Sequence, residues 1–355
     1  MAEMSSYERM KRMYEHRQPD RVPFLDSPWG TTIRRWQREG MPAGVSWVDY
    51  FGVDRLGGVG VDTSPGFAHR VIEETDEYII EYNSWGVTTR NFKLTTSTPQ
   101  DIDFTIRDRQ SWAAAKERLL PTDSRINWDH LRKHYAAMRE HQLWISAGAW
   151  FGYDIVNARM VGTETLLMAM ADDPEWVRDM LDTLCELALT LFNRVWEAGY
   201  TFDEIRWPDD MGYRNGLLFS KRMWDEMVRP YQQRTIDWAH AKGIKAHMHS
   251  CGNIMELVPE LVDLGLDALN PLEVKAGMDP LGLKQRHGDR LALQGGFDAR
   301  NWSSWDAAEA EIRAKLPVLM ENGGYIFASD HSIPDAVSLD TMQRIVALVK
   351  ELGRY

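Results

Sequence analysis

The sequence predicts an α/β protein whose core is a distorted (β/α)8 TIM barrel, with an N-terminal helical and β-hairpin elaboration. Three observations support this fold class. Strand-like and helical patterns alternate from about residue 143 onward, which is typical of a parallel sheet. The length of 355 residues suits one large barrel with an elaborated N-terminal part, or else two domains. The segment Lys245–Asn253 resembles a strand that turns into a helix, as at the C-terminal rim of a barrel.

The N-terminal residues predict mixed structure. Residues 5–18 are predicted to form a charged helix, and Asp20–Asp26 a strand that ends in an acid. Thr31–Glu39 is predicted to be a helix, and Trp47–Phe51 a further helical turn. The glycine-rich Gly52–Gly60 has no G-x-G-x-x-G match before a helix, so we predict no dinucleotide site.

Residues 66–110 change to an extended pattern. Val71–Glu74 and Tyr78–Tyr82 alternate in polarity, and Val87–Leu94 continues the pattern after a turn. We therefore expect a peripheral β excursion here, within a single barrel domain that spans residues 1–355.

The remaining residues predict alternating helices and strands. The predicted strands are Leu143–Trp150, Phe202–Trp207, Ile244–Met248, Asp267–Pro271, Arg290–Gly295 and Gly324–Ala328. The predicted helices are Ser111–Leu119, Asn127–His141, Thr163–Ala171, Pro174–Ala198, Lys221–Lys242, Ile254–Leu264 and Leu339–Leu352.

Composition argues against several classes of protein. The net charge of −12, without a clustered Lys/Arg surface, argues against a nucleic-acid partner. No apolar run approaches the roughly 20 residues that span a bilayer, and the start lacks the apolar core of a signal peptide. The two cysteines, Cys185 and Cys251, make a disulfide framework implausible. We therefore expect a cytoplasmic protein, with a homodimer as one option for an oligomeric state that the sequence does not fix.

The stretch K-A-H-M-H-S-C-G-N contains candidate metal ligands. His247, His249 and Cys251 alternate, so in a strand their side chains point to one side. Imidazole and thiolate are ligands that zinc favours. His247 would lie about 7 Å below His249 along the strand, so we expect it to be a buried, hydrogen-bonded histidine. Ordinary packing is the alternative for all three.

Polar and aromatic residues follow the predicted strands, where a barrel collects its catalytic groups. These residues are Asp26, Trp150, Asp209, Asp210, His249, Cys251, Asn270, Glu273, Gln294, Asp298, Asp330 and His331. Among these residues at the predicted rim of the barrel, His249, Cys251 and His331 are the predicted zinc ligands. Three protein ligands leave the fourth coordination position of zinc open to substrate. Asp330 is the competing third ligand.

Several roles stay open. Asp209 and Asp210 are predicted to act as a general base, a cation anchor or a partner of a ligating histidine, or else to cap a helix. Trp150 and Tyr153 are expected either to wall the substrate pocket or to fill the core. Arg34 is expected to bind a substrate carboxylate or to be a solvated surface charge.

The motifs resemble those of a known family. Pro19–Pro23, Asp209–Gly212, His249–Asn253, Leu264–Pro271 and Leu293–Asp298 together resemble the uroporphyrinogen decarboxylase superfamily over nearly the whole chain. The resemblance implies a distorted (β/α)8 barrel, in agreement with the alternation of strands and helices.

The superfamily has two main branches. The decarboxylase branch carries a Met-Arg-Gln-Ala-Gly-Arg signature, from which Ser27–Arg35 departs. The methyltransferase branch binds zinc through His-x-Cys and a distant Cys, and His249 and Cys251 match the first pair. The distant Cys is missing, and His331 lies near its place. A histidine there would make zinc more Lewis-acidic, which suits polarising an ether or hydroxyl oxygen.

The resemblance implies a zinc-dependent methyltransferase that moves a methyl group between a small ether, amine or thiol and a corrinoid protein, in a demethylation for example. The methylcobalamin or other corrinoid would arrive on a partner protein, because this chain has no D-x-H-x-x-G module. Asp209, Asp210 or Glu273 would orient the substrate or handle the proton, and Asp26 and Asp330 would contact the substrate. The alternatives are a metal-free decarboxylase or lyase acting on an acidic substrate, and a binding protein without catalysis.

Overall fold

A computed structural model describes residues 3–95 and 98–355. The strands of these residues are β1 (Leu56–Gly60), β2 (Arg70–Glu74), β3 (Tyr78–Tyr82), β4 (Val87–Phe92), β5 (Gln100–Phe104), β6 (Trp144–Gly148), β7 (Glu204–Pro208), β8 (Gly212–Tyr213), β9 (Gly216–Leu217), β10 (Lys245–His249), β11 (Ala268–Asn270), β12 (Ala292–Gln294) and β13 (Tyr325–Ile326).

Seven strands form a curled parallel sheet in the order β1-β6-β7-β10-β11-β12-β13. A short extended segment links its two edges. Phe24 forms a parallel bridge to Phe327, just beyond β13, and its carbonyl accepts the N–H of Asp54, just before β1. This segment therefore takes the eighth strand position. The predicted α/β fold, a distorted (β/α)8 barrel, is confirmed.

The two N-terminal strand positions differ from expectation. Asp20–Asp26, predicted as a strand, forms only isolated bridges, whereas the glycine-rich stretch contributes β1. The glycines of β1 allow close packing. A Cβ on Gly57 would lie 2.9 Å from the sulfur of Met138. Glycine inside a strand commonly marks such a close approach.

The extended N-terminal residues form more than one hairpin. Strands β2, β3, β4 and β5 make a four-stranded antiparallel sheet of successive neighbours, separate from the barrel sheet. The five residues of β2 are exposed, which is expected at the edge of such a meander. The description of the chain as a single domain stays a prediction.

The described residues form fourteen α-helices. They are α1 (Ser6–Tyr14), α2 (Gly30–Arg38), α3 (Trp47–Phe51), α4 (Arg109–Lys116), α5 (Trp128–Glu140), α6 (Tyr153–Val156), α7 (Thr163–Asp172), α8 (Pro174–Glu197), α9 (Lys221–Met223), α10 (Arg229–Ala241), α11 (Val258–Asp263), α12 (Pro280–His287), α13 (Trp305–Met320) and α14 (Leu339–Leu352). Within the described ranges, none of them combines the length and apolarity needed to cross a membrane.

The helix predicted over Lys221–Lys242 is interrupted. Residues Trp224–Val228 form a π-helical turn between α9 and α10. Pro230 explains the interruption, because it has no N–H to donate and its ring would clash with the carbonyl four residues earlier. By contrast, α8 follows the sequence closely. Asp173 caps it by accepting the N–H of Trp176, and Pro174 occupies its first turn.

Candidate metal and substrate site

The turn after β10 brings two carboxylates to one backbone segment. The N–H of Cys251 donates to Asp210 Oδ1 at 2.7 Å, and the N–H of Gly252 donates to Glu273 Oε2 at 2.6 Å. Gly252 has a φ of +78°, which favours glycine. Residues that follow β7, β10 and β11 thus hold the turn, as expected for the C-terminal ends of parallel strands.

The side chains of Asp210, His249 and Cys251 form a cluster of candidate metal ligands, called the ligand cluster below. His249 Nε2 lies 3.3 Å from Cys251 Sγ and 3.5 Å from Asp210 Oδ1. The ligand atoms of all three residues lie within 4.8 Å of one another. All three side chains are partly exposed, so an ion could reach them. Imidazole, thiolate and carboxylate are the ligands that zinc takes in proteins, so the residues present fit this metal.

The electrostatic setting of the cluster favours a cation. Burial raises the pKa of the Cys251 thiol far above its usual value, and the carboxylates of Asp210 and Glu273 raise it further. Burial lowers the pKa of His249, although Asp210 opposes this effect. The histidine is therefore neutral, the form that binds metals, and the acidic surroundings favour a bound cation.

Asn270 fixes the other side of the His249 ring. Its Nδ2 lies 3.0 Å from His249 Nδ1, while its Oδ1 is buried without a hydrogen-bond partner among the described residues. If the amide were rotated by half a turn, Oδ1 would accept a hydrogen bond from the N–H at His249 Nδ1. Nε2 would then be free to bind a metal, because a neutral imidazole carries one proton.

A cavity of about 480 Å³ opens beside His249. Its polar lining includes Asp26, Arg206, Asn270, Gln294 and His331. Its volume lies in the range typical of small-molecule sites. The predicted residues Asp26 and His331 therefore share one cavity with His249, in which a substrate would approach the ligand cluster.

His331 and Asp330 lie outside the ligand cluster. Of the described residues, only Asp210 joins His249 and Cys251 within 4.8 Å. His331 stacks on Trp29, with ring centroids 6.2 Å apart. Asp330 is fully buried and accepts the N–H of Ala299, and burial raises its pKa. The ligand role of His331, or of Asp330, stays a prediction.

Asp209 turns away from its neighbour Asp210. It is fully buried and accepts hydrogen bonds from the Tyr231 hydroxyl, the Gln232 amide and the N–H of Tyr153. Burial raises the pKa of Asp209 to about 6, although these hydrogen bonds oppose the shift. Its observed contacts hold the loop at the start of α6 in place. Its catalytic role stays a prediction.

Four of the predicted substrate contacts do not line this cavity: Asp330, Tyr153, Trp150 and Arg34. Tyr153 is fully buried and packs on Phe219, with ring centroids 4.6 Å apart. Trp150 is exposed, and the Arg159 guanidinium stacks on its ring at 4.2 Å. Arg34 is exposed on α2 and is not among the residues that line the cavity. Their roles in substrate binding stay predictions.

Sequence reasoning did not single out Arg206 or Asp154. Arg206 lies on β7 and contacts His247, which is fully buried as expected. Burial raises the pKa of Asp154 to about 7, and the carboxylates of Asp210 and Asp209 add to the effect. The sequence signal for Arg206 was its position two residues after Glu204, because two charged residues at alternate positions are unusual in the otherwise apolar β7. An acid in the first turn after β6 was the signal for Asp154.

Comparisons with known proteins agree with this architecture. The family model described as uroporphyrinogen decarboxylase (URO-D) matches residues 155–352. Among solved structures, the chain is similar to a methyltransferase from Methanosarcina mazei, with a TM-score of 0.66 and 16% sequence identity. The similarity covers 98% of this chain and 99% of that chain. A search of curated proteins finds no match.

Proposed function

The chain belongs to the uroporphyrinogen decarboxylase family, and from this premise we propose that it is a zinc-dependent methyltransferase. It would move a methyl group between a small ether, amine or thiol and a corrinoid carried by a partner protein. The observation that carries the proposal is the cluster of Asp210, His249 and Cys251 beside a cavity of small-molecule size. The similarity in fold to a methyltransferase agrees with it.

Asp210, His249 and Cys251 would hold the zinc, with His331 as the alternative to Asp210 for the third ligand, so that a fourth position stays open to substrate. When bound, zinc supplies a Lewis acid that polarises the heteroatom carrying the methyl group. With its amide rotated by half a turn, Asn270 would accept a hydrogen bond from His249 Nδ1 and so leave Nε2 free to bind the zinc.

The other acidic residues would position groups and exchange protons. Glu273 holds the turn that carries Cys251, because it accepts the N–H of Gly252. Asp26 faces the cavity, and burial raises its pKa to about 6. It would therefore exchange a proton with the substrate heteroatom near neutral pH, since a general acid or base works best near the operating pH.

A metal-free decarboxylase or lyase is the second candidate. It is favoured by the presence of Arg206 and Asp26 in the same cavity, where a cation could hold an acidic substrate and a carboxyl group could supply a proton. The metal content of the protein distinguishes the two candidates.

The first prediction concerns zinc per chain, measured by elemental analysis of wild type and single variants. We expect about one zinc in wild type and almost none in Cys251→Ser, because the thiolate ligand is lost. Asp210→Asn is expected to bind zinc at least about tenfold more weakly. Cys185→Ser is the matched control. Cys185 is fully buried in α8, far along the chain from the cluster, so its loss should leave the zinc content unchanged.

The His331→Ala variant identifies the third ligand. Full zinc content in this variant, with loss in Asp210→Asn, would assign the role to Asp210, and the reverse would assign it to His331. Wild type that takes up no zinc would contradict the methyltransferase proposal and favour the decarboxylase. Zinc-dependent methyl transfer from methylcobalamin to 2-mercaptoethanol, followed by absorbance, tests the activity itself.

A further inference from the structure

We propose that Arg206 binds an anionic group of the substrate, such as a carboxylate, at the inner end of the cavity. The inference rests on the proposed function for the placement of the substrate in this cavity, and it names the substrate class. The substrate would be a small acid with an apolar body, whose methylated heteroatom faces His249.

The position of Arg206 follows from the register of two barrel strands. Arg206 on β7 pairs with His247 on β10, and Pro208 pairs with His249. Arg206 therefore lies one strand layer below His249, about 7 Å away along the strand direction. Both residues line the same cavity. A ligand held at Arg206 would thus extend upward to the ligand cluster.

The hydrogen bonds of Arg206 involve Nη2 and its ion pair with Glu204 involves Nε, which leaves Nη1 for a ligand. Nη2 lies 2.9 Å from His247 Nδ1 and 3.4 Å from Gln294 Oε1, and Nε lies 3.3 Å from the buried Glu204 Oε1. Nη1 has no hydrogen-bond partner among the described residues, and it is not enclosed by them. Its two N–H groups are therefore free to donate into the cavity.

Gln294 supplies a second donor beside Arg206. The residue is 7% exposed and lines the cavity. Its Oε1 accepts a hydrogen bond from Arg206 Nη2. The amide nitrogen Nε2 therefore points away from that donor. Nε2 has no partner within residues 3–95 and 98–355 and is not enclosed. A guanidinium and an amide that both donate into a small cavity suit the two oxygens of a carboxylate.

Glu204 balances the charge of Arg206. Burial acts to raise the pKa of Glu204, but the charge of Arg206, the nearby His247 and a hydrogen bond from the Tyr14 hydroxyl lower it overall. Glu204 is therefore ionised and compensates the charge of Arg206. Its contact engages Nε rather than Nη1. The pair thus balances a partly buried cation and still leaves Nη1 for an incoming anion.

The remaining walls indicate the body of the substrate. Leu25, Val48, Leu56 and Pro271 line the same cavity as Arg206. These residues give one part of an otherwise polar cavity an apolar lining, against which the body of the acid would pack.

The test compares benzoate with benzamide, which have nearly the same shape but differ in charge. Isothermal titration calorimetry on the full chain should show benzoate binding at least about tenfold more tightly than benzamide, since hydrogen bonds to charged groups contribute about 1.5–3 kcal/mol. Arg206→Gln should reduce benzoate affinity to the level of benzamide. Because this variant leaves Glu204 unpaired, the double variant Glu204→Gln/Arg206→Gln is measured as well.

Arg214→Gln is the matched control. Arg214 lines a different cavity, beside Cys251, so its substitution changes net charge equally without touching the proposed site. It should leave benzoate affinity unchanged. The proposal is overturned by equal affinity of wild type for both probes, by no benzoate binding, or by unchanged benzoate affinity in a folded double variant. An equal loss in Arg214→Gln would also overturn it. Benzoate binding without zinc uptake would contradict the methyltransferase proposal alone.

Discussion

The Asp26 carboxyl group lies at the wall of the cavity, held from three directions. It accepts the N–H and the hydroxyl of Ser329 at 2.7 and 2.9 Å, and the N–H of Ser27 at 2.7 Å. Burial raises its pKa from 3.8 to about 6, although these hydrogen bonds oppose the shift. The group therefore changes protonation close to physiological pH, which makes it the titrating group of the cavity most suited to proton exchange.

This pKa predicts how stability depends on pH. Between pH 3.8 and about 6, the folded protein holds a proton on Asp26 that the unfolded chain releases. The contribution of Asp26 to stability is thus fully present below pH 3.8 and is lost as the pH rises through 6. In the Asp26→Asn variant this loss is absent. From pH 4 to pH 7, wild type should lose up to about 3 kcal/mol of unfolding free energy relative to the variant.

Urea unfolding at the two pH values measures this difference. Asp306→Asn, an exposed substitution at the start of α13, is the control and should follow wild type at both. A wild type that gains stability relative to Asp26→Asn between pH 4 and pH 7 would contradict the raised pKa.

At the scale of elements, the short hairpin of β8 and β9 clamps the turn that carries Cys251. The N–H of Asn253 donates to the Tyr213 carbonyl at 2.9 Å, and the N–H of Gly212 donates to the Cys251 carbonyl at 3.3 Å. The two backbones are so close that a Cβ on Gly252 would lie 2.2 Å from the Gly212 carbonyl carbon. The position of the thiol therefore depends on glycine at both points of contact.

Gly252→Ala is expected to displace this turn. The added Cβ meets backbone atoms that cannot rotate away, and the φ of +78° is unfavourable for alanine. We expect a loss of about 3 kcal/mol or more in unfolding free energy, together with weaker zinc binding. Gly243→Ala is the matched control, because Gly243 has a φ of +71° and no atom within 4 Å of the added Cβ.

The control should lose only about 1–2 kcal/mol, the cost of the left-handed conformation, and should keep its zinc. Chemical denaturation and elemental analysis of both variants measure the two effects. Equal losses in the two variants would show that the contact between the hairpin and the turn is unimportant.

At the scale of the whole molecule, a buried ion network closes the barrel where strand pairing is sparse. Asp54 is almost fully buried and forms an ion pair with Arg9 of α1. It forms a second ion pair with Arg21, whose Nη1 lies 2.7 Å from Asp54 Oδ2. It also accepts the N–H of Phe24 at 2.9 Å. One carboxylate thus joins α1, the eighth strand position and the residues before β1, so closure depends on charge as well as on backbone pairing.

Asp54→Asn tests this closure. Removal of the charge leaves Arg9, which is 2% exposed, with fewer anionic partners, so we expect a loss of about 3–5 kcal/mol in unfolding free energy. Asp263→Asn removes a surface pair with Arg290, in which both side chains are more than half exposed, and should cost at most about 1 kcal/mol. Urea denaturation measures both, and comparable losses would contradict a structural role for the buried network.

The sequence by itself determined much of this protein. The alternation of patterns predicted the parallel barrel, because local periodicity reports which face of each element is buried. The alternating His249 and Cys251 predicted one shared face at the end of β10, which the structure confirms. Capping residues placed the ends of helices such as α8 to within a residue or two.

Only the tertiary structure decided how distant residues combine. Asp209 and Asp210 are adjacent, yet one is buried against α10 and the other joins His249 and Cys251, since neighbours in an extended segment point to opposite sides. Arg206 is defined by its contacts with residues of β10 and β12, and β1 by the packing of its glycines. Periodicity describes each segment separately, whereas the cavity and its charges depend on which strand ends meet in space.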